Sequence, residues 1–218
     1  MRLIVFDMDG TLIDTHALIS EHMTRTFTTH GVVVPPPDAM RRVIGLSLPL
    51  AIGRLAGSED ETLVTEMVET YKTGYRDTLP ANEGREPLYE GALAAIDLIR
   101  AVPGTVLGIA TGKGLNGVHR ILATHGITDY FATLQTPDHN PSKPHPGMLL
   151  RAMAETGARP DEVVMIGDTS FDMELGRNAG VRRIGVTWGY HEREDLSAAE
   201  VLLDRYEDLP STIDRLLE

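Results

Sequence analysis

The chain has no cysteine among its 218 residues. That excludes disulfide staples, thiolate zinc sites and any cysteine nucleophile. Basic residues are in short supply: 20 Lys and Arg stand against 32 Asp and Glu, a formal charge of -12. Such a chain has no general attraction for nucleic acid or an anionic membrane. An anionic small molecule would be admitted only where a cation and local donors reverse the field. No apolar run is long enough to span a bilayer. The first residues run straight into Leu3-Ile4-Val5-Phe6 without a basic region or small-residue cleavage site, so a cytoplasmic location is expected. Other catalytic devices are missing too. There is no Gly-x-Ser-x-Gly elbow. The eight histidines lack zinc-protease spacing, with His16 and His22, like His119 and His125, six apart.

The remaining composition, 42% hydrophobic and 24% charged, is that of an ordinary globular protein. Short β-branched runs predict strands at Leu3–Phe6, Val106–Ala110, Phe131–Leu134, Val163–Ile166, Arg183–Val186 and Val201–Leu203. Helical periodicity predicts helices near Leu115–Thr124, Gly147–Glu155, Phe171–Ala179 and Leu209–Leu217. This alternation implies an α/β fold, a Rossmann-like, doubly wound parallel sheet. Between residues 15 and 89 the rhythm breaks. Ala17–Thr29, Ala39–Val43, Leu48–Leu55 and Glu61–Tyr75 read as helices, punctuated by Pro35-Pro36-Pro37 and by the stretch Asn82–Pro87. The expectation is a core of residues 1–14 plus 90–218, with an all-helical cap inserted at 15–89.

Four groups of chemically able residues fall where a parallel sheet gathers them, at or beyond the carboxyl ends of strands. They are Asp7-Met8-Asp9-Gly10-Thr11, Thr111-Gly112, Lys143, and Gly167-Asp168-Thr169-Ser170-Phe171-Asp172. Several carboxylates at one sheet edge repel one another by about 4 kcal/mol per pair at ~4 Å and an effective dielectric of 20. A divalent cation relieves that, and all-oxygen ligands favour magnesium over zinc. Carboxylate, hydroxyl, ammonium and cation would then surround one point where an anion sits, which is a phosphoryl-transfer arrangement.

These four groups, in this order and over essentially the whole chain, resemble the haloacid dehalogenase superfamily, in its phosphoglycolate-phosphatase-like branch with a helical cap. The resemblance implies a magnesium-dependent phosphatase of small phosphorylated metabolites, 2-phosphoglycolate foremost. It implies Asp7 as nucleophile, Asp9 as acid and base, and Thr111, Gly112 and Lys143 as phosphate-binding groups. It assigns magnesium to Asp7, the backbone carbonyl of Asp9 and Asp168, with Asp172 supporting that shell. Dehalogenases of the superfamily lack an acid at the position of Asp9, so phosphate chemistry is implied over carbon–halogen chemistry.

Alternatives are a β-phosphoglucomutase-like mutase, a pyrophosphatase or nucleotide phosphatase, and a non-catalytic phosphate-binding protein. The mutases carry an arginine shortly after the cap-loop glycine, where this chain has Leu46-Ser47-Leu48 after Gly45. Asp-x-Asp-Gly by itself also fits a calcium loop, but Leu12-Ile13 stands where further oxygen ligands would be needed. Lys113 in Thr111-Gly112-Lys113-Gly114 does not complete a nucleotide-binding loop, because Leu107 and Gly114 break the pattern. Arg42, Gly45 and Lys113 are candidate specificity residues. The plainer readings are a surface arginine at Arg41 and Arg42 and a solvated loop lysine at Lys113. His139 and His145 read as exposed loop residues flanking Lys143, and Tyr71 and Tyr75 as packing residues. The prolines at 141, 144 and 146 stiffen the Lys143 loop and admit a cis bond before Pro144.

Overall fold

The computed structural model describes residues 1–78 and 84–218, so the Asn82-Glu83 part of the expected punctuation lies outside the described residues. Strands β1 (Arg2–Phe6), β2 (Thr105–Ala110), β3 (Phe131–Gln135), β4 (Val163–Gly167), β5 (Arg182–Val186) and β6 (Val201–Leu203) form one parallel sheet. Its order is β3-β2-β1-β4-β5-β6. The chain therefore builds outward to one side of β1, then returns and builds outward to the other. In such sheets the carboxyl ends of the strands flanking the reversal, here β1 and β4, open a crevice that binds ligands.

Four helices follow β1: α1 (His16–Thr29), α2 (Pro37–Arg41), α3 (Leu48–Ala56) and α4 (Glu61–Asp77). The rest alternate with strands: α5 (Ala92–Arg100), α6 (Leu115–Thr124), α7 (Gly147–Thr156), α8 (Ser170–Ala179) and α9 (Leu209–Leu217). The apolar run of β1 is explained by cover on both faces. Ile4 and Phe6 join Ile96 of α5, Val118 of α6 and Ile213 of α9, whereas Leu3 and Val5 join Met148 of α7 and Leu175 of α8. Successive side chains alternate between the two layers, as strand geometry requires.

Helix α5 was not anticipated from the sequence, although Ala92, Ala95, Ile96 and Ile99 form a buried face at helical spacing. Helix α2 begins at Pro37 rather than near Ala39, because proline is favoured in the first turn, where its missing N–H costs nothing. Helix α4 is capped by Asp60, whose carboxylate accepts from Thr62 N at 2.9 Å and Leu63 N at 3.3 Å.

Helices α1 to α4 share an apolar cluster of Met23, Phe27, Met40, Ile52, Met67 and Val68. The outgoing and returning chains run side by side, with Asp14 N donating to Pro87 O at 2.9 Å and Tyr89 N to Leu12 O at 3.0 Å. No described helix is long and apolar enough to cross a membrane.

Candidate active site

The end of β1 turns sharply at Gly10, whose φ is +88°. A side chain there would lie 2.2 Å from Asp168 Oδ2, so glycine is required for both conformation and space. The turn leaves the Asp7 carboxylate buried, and neither of its oxygens has a well-directed hydrogen-bond donor. The Lys143 ammonium lies 2.9 Å from Asp7 Oδ1 as an ion-pair contact and 2.5 Å from Asp172 Oδ1. The Lys143–Pro144 peptide is cis.

Opposite Asp7, at the end of β4, Asp168 accepts from the Thr11 hydroxyl and from Tyr190 N, both at 2.8 Å. Asp172, on the first turn of α8, accepts from Thr169 N at 3.0 Å and Thr169 Oγ1 at 2.6 Å. These bonds fix two carboxylates that would otherwise repel.

Burial, opposed by Lys143 and reinforced by Asp172 and Asp9, pushes the Asp7 carboxyl up to about 7. Burial, with Asp7 and Asp172 adding to it, also holds Asp168 well above the ordinary carboxylate range. Burial works against the charge on Lys143, but Asp172 and Asp7 outweigh it and leave the ammonium firmly protonated. One lysine does not balance three buried carboxylates. Asp7, Asp168 and Asp172 each offer a ligand oxygen within 4.8 Å of the others. This all-oxygen set, with the Asp7 oxygens lacking directed donors, fits a hard divalent ion.

The Asp9 side chain lies outside that triad. Its Oδ1 accepts from the Thr15 hydroxyl at 2.7 Å and meets the Lys113 ammonium at 3.1 Å. The expectation of a solvated loop lysine is therefore corrected: the Lys113 side chain is only 13% exposed, because a buried carboxylate draws it in. Thr111 is buried, its N–H bonded to Gln135 O at 3.1 Å, and Gly112 lies directly under the Gly45–Leu46 backbone. Gly45, at φ +102°, packs on Thr169 and Phe171, and Ser47 N donates to Ser142 Oγ at 2.9 Å. The segment 45–47 thus touches all three loops that follow β2, β3 and β4, and Val43, Leu46 and Ala51 pack as an apolar seal with Phe171.

Arg42 is exposed, as its plain reading held, but Arg41 departs from it. Its guanidinium donates to Gly189 O at 3.2 Å and pairs with Glu192 at 3.6 Å. His139 and His145 are exposed. Tyr71 and Tyr75 stack on each other with ring centroids 6.0 Å apart, and His22 meets Tyr71 edge-on and Tyr75 at a tilt, 4.9 Å from the latter's centroid. Sequence reasoning missed Thr15 and Tyr190. The Tyr190 hydroxyl binds Thr15 N at 2.9 Å and Thr15 Oγ1 at 3.1 Å, while its own N–H holds Asp168. That contact spans 175 residues of sequence and leaves no local signal.

The geometry has counterparts. A family model described as haloacid dehalogenase-like hydrolase matches residues 4–186. This chain belongs to that family. The hydrolase is 33% identical to "Probable phosphatase IndB" of Dickeya dadantii, over 99% of this chain and 95% of the relative. It is 28% identical to a phosphoglycolate phosphatase of Psychrobacter arcticus, over 100% of this chain and 96% of the relative. Its fold superposes on a solved haloacid dehalogenase-like structure from Bacteroides fragilis with a TM-score of 0.88 at 26% identity, covering 95% of this chain and 99% of that one. Both relatives carry phosphatase names, and the hydrolase described here is an enzyme of that kind.

Proposed function

We propose that this hydrolase is a magnesium-dependent phosphatase that cleaves a small phosphate monoester by covalent catalysis at Asp7, with 2-phosphoglycolate as the leading substrate. The observation that carries the reading is the state of Asp7. Its carboxylate is buried at the sheet edge without a directed donor on either oxygen, yet beside an ammonium. A structural carboxylate at that depth would be fully hydrogen-bonded. One held ready for a phosphorus atom and a cation need not be.

In this reading Asp7 attacks phosphorus in line and the ester oxygen departs. Asp9 gives that oxygen a proton, then takes one from the water that attacks the acyl phosphate and frees Asp7. Lys143, the Thr111 hydroxyl and the Gly112 N–H hold the transferring group. Lys143 keeps its charge because two carboxylates enclose it. Asp7, Asp168 and the Asp9 backbone carbonyl would hold magnesium, and Asp172 would support that shell through Lys143 and Thr169. Bound there, magnesium would offset charge on the carboxylates and on the phosphoryl oxygens. Residues 15–89 act as a cap on a core of 1–14 plus 90–218, excluding water when segment 45–47 is seated.

The test is phosphate release from 2-phosphoglycolate, sugar phosphates, nucleotides and pyrophosphate, with magnesium or with chelator. Magnesium-dependent release of a monoester's phosphate that is lost in Asp7→Asn is the expected result. Undiminished release by Asp7→Asn would overturn the assignment of the nucleophile.

A further inference from the structure

Lys113 differs from the other cations around the catalytic carboxylates. The Lys143 ammonium is enclosed by Asp7 and Asp172 with no exposure. Both terminal nitrogens of Arg120 bind the Glu86 carboxylate, which also accepts the Tyr75 hydroxyl. Arg41 is committed to Gly189 O and Glu192. Lys113 reaches Asp9 Oδ1 at 3.1 Å from a flexible stem and keeps a share of solvent. Its backbone N–H contacts Thr111 Oγ1 at 3.3 Å, so it shares the turn that bears the phosphate-binding hydroxyl. Its ammonium stands 5.6 Å from the Tyr75 ring centroid.

We infer that Lys113 recognises an anionic group on the alcohol half of the substrate, leaving Asp9 for that group as the substrate binds. The inference rests on the phosphatase reading, in which Asp9 serves the departing ester oxygen. Groups that touch the Asp9 carboxylate are then neighbours of the departing alcohol. Asp9 keeps the Thr15 hydroxyl at 2.7 Å when the ammonium leaves, so the exchange does not strand a buried carboxylate. A neutral alcohol offers no such exchange and leaves Lys113 on the carboxylate that must work. Lys113 and Thr15 both hold Asp9 Oδ1, which leaves Oδ2 to serve the ester oxygen and puts the second anion beside it, on a short alcohol. The substrate class is a short phosphomonoester bearing a carboxylate or a second phosphate, with the Tyr75 ring near the Lys113 ammonium that receives it.

The experiment compares kcat/KM for 2-phosphoglycolate and 2-hydroxyethyl phosphate, which replaces the carboxylate with a neutral CH2OH. Wild type, Lys113→Met and Lys113→Arg are measured, with thermal melts for each and Lys113→Gln in reserve if the methionine variant does not fold. Wild type is expected to prefer the carboxylate. Lys113→Met should cut that preference by about tenfold to a hundredfold, mainly through KM, as loss of a charge-assisted hydrogen bond does. Lys113→Arg should keep most of it. The inference is overturned if wild type shows no preference, or if Lys113→Met slows both substrates equally and leaves their ratio unchanged. The second result would make Lys113 a support for Asp9 alone and would leave the phosphatase reading standing. No release from either substrate or from any other monoester would bring down that reading and the inference with it.

Discussion

Gly112→Ala is a sharp probe of the contact between Gly112 and segment 45–47. The Gly112 φ lies outside the left-handed region, so its backbone accepts alanine without strain. The Gly112 N–H, proposed above to hold the phosphoryl group, is also retained. What alanine meets is the backbone of segment 45–47: its Cβ would lie 2.4 Å from Leu46 O, 2.7 Å from Gly45 O and 2.8 Å from Leu46 C. These are backbone atoms, with no flexible end to swing aside. Restoring ordinary contact requires segment 45–47 to retreat by about 1 Å. A displacement of that size at a catalytic site can cost about a hundredfold in rate. Stability should change modestly, because the clash lies outside the clusters under the sheet. Gly→Ala contributes about 0.4–1 kcal/mol through the unfolded chain, which offsets part of what the displaced segment loses. Gly114→Ala is the control, since its Cβ would sit 3.5 Å from Asp138 Oδ2 in ordinary contact. Steady-state kinetics and thermal melts of both variants decide the matter. The expected result is about a hundredfold loss of kcat/KM in Gly112→Ala, with Tm within about 5 °C of wild type and a near-normal control. Wild-type kinetics in Gly112→Ala would refute the claim that segment 45–47 seats on Gly112 during turnover.

Further outcomes follow from the buried charges. The folded state raises the Asp7 carboxyl from 3.8 to about 7, so between those values it binds more protons than the unfolded chain, and metal-free stability falls as pH rises through that window. Melts with chelator should show the fall and millimolar magnesium should flatten it, whereas identical curves would exclude a metal at the triad. Lys143→Met strips the counter-ion from two buried carboxylates, and denaturant melts should show about 3–5 kcal/mol of destabilisation along with loss of turnover. Tyr190→Phe removes the hydroxyl that fixes Thr15 and, through it, Asp9. It should lower kcat about tenfold while magnesium affinity holds, because Asp168 is bound by the Tyr190 N–H. A magnesium titration shifted with kcat unchanged would contradict that division.

The residues of the triad and of Thr111 and Lys143 were legible in sequence because each follows a short apolar strand or sits in a proline-bracketed loop, both local signals. Strands β1 and β4 were readable because cover on both faces leaves an uninterrupted apolar run, and the other four because short β-branched runs alternate with helical periodicity. Helix α5 carried a readable buried face and went unread beside the irregular return of the chain. Thr15 and Tyr190 could not be read, because their value lies in meeting each other across the sheet edge. The placement of Lys113 was hidden likewise. A loop lysine is ordinarily solvated, and only the fold shows that Asp9 stands within reach.

The central claim is that phosphate passes through Asp7 rather than directly to water, and the stereochemical course at phosphorus tests it most directly. A monoester whose phosphoryl group is made chiral with sulfur and oxygen isotopes is hydrolysed, and the product's configuration is determined. Two in-line displacements, on Asp7 and then by water, predict net retention. Net inversion would mean a single displacement by water and would contradict the account.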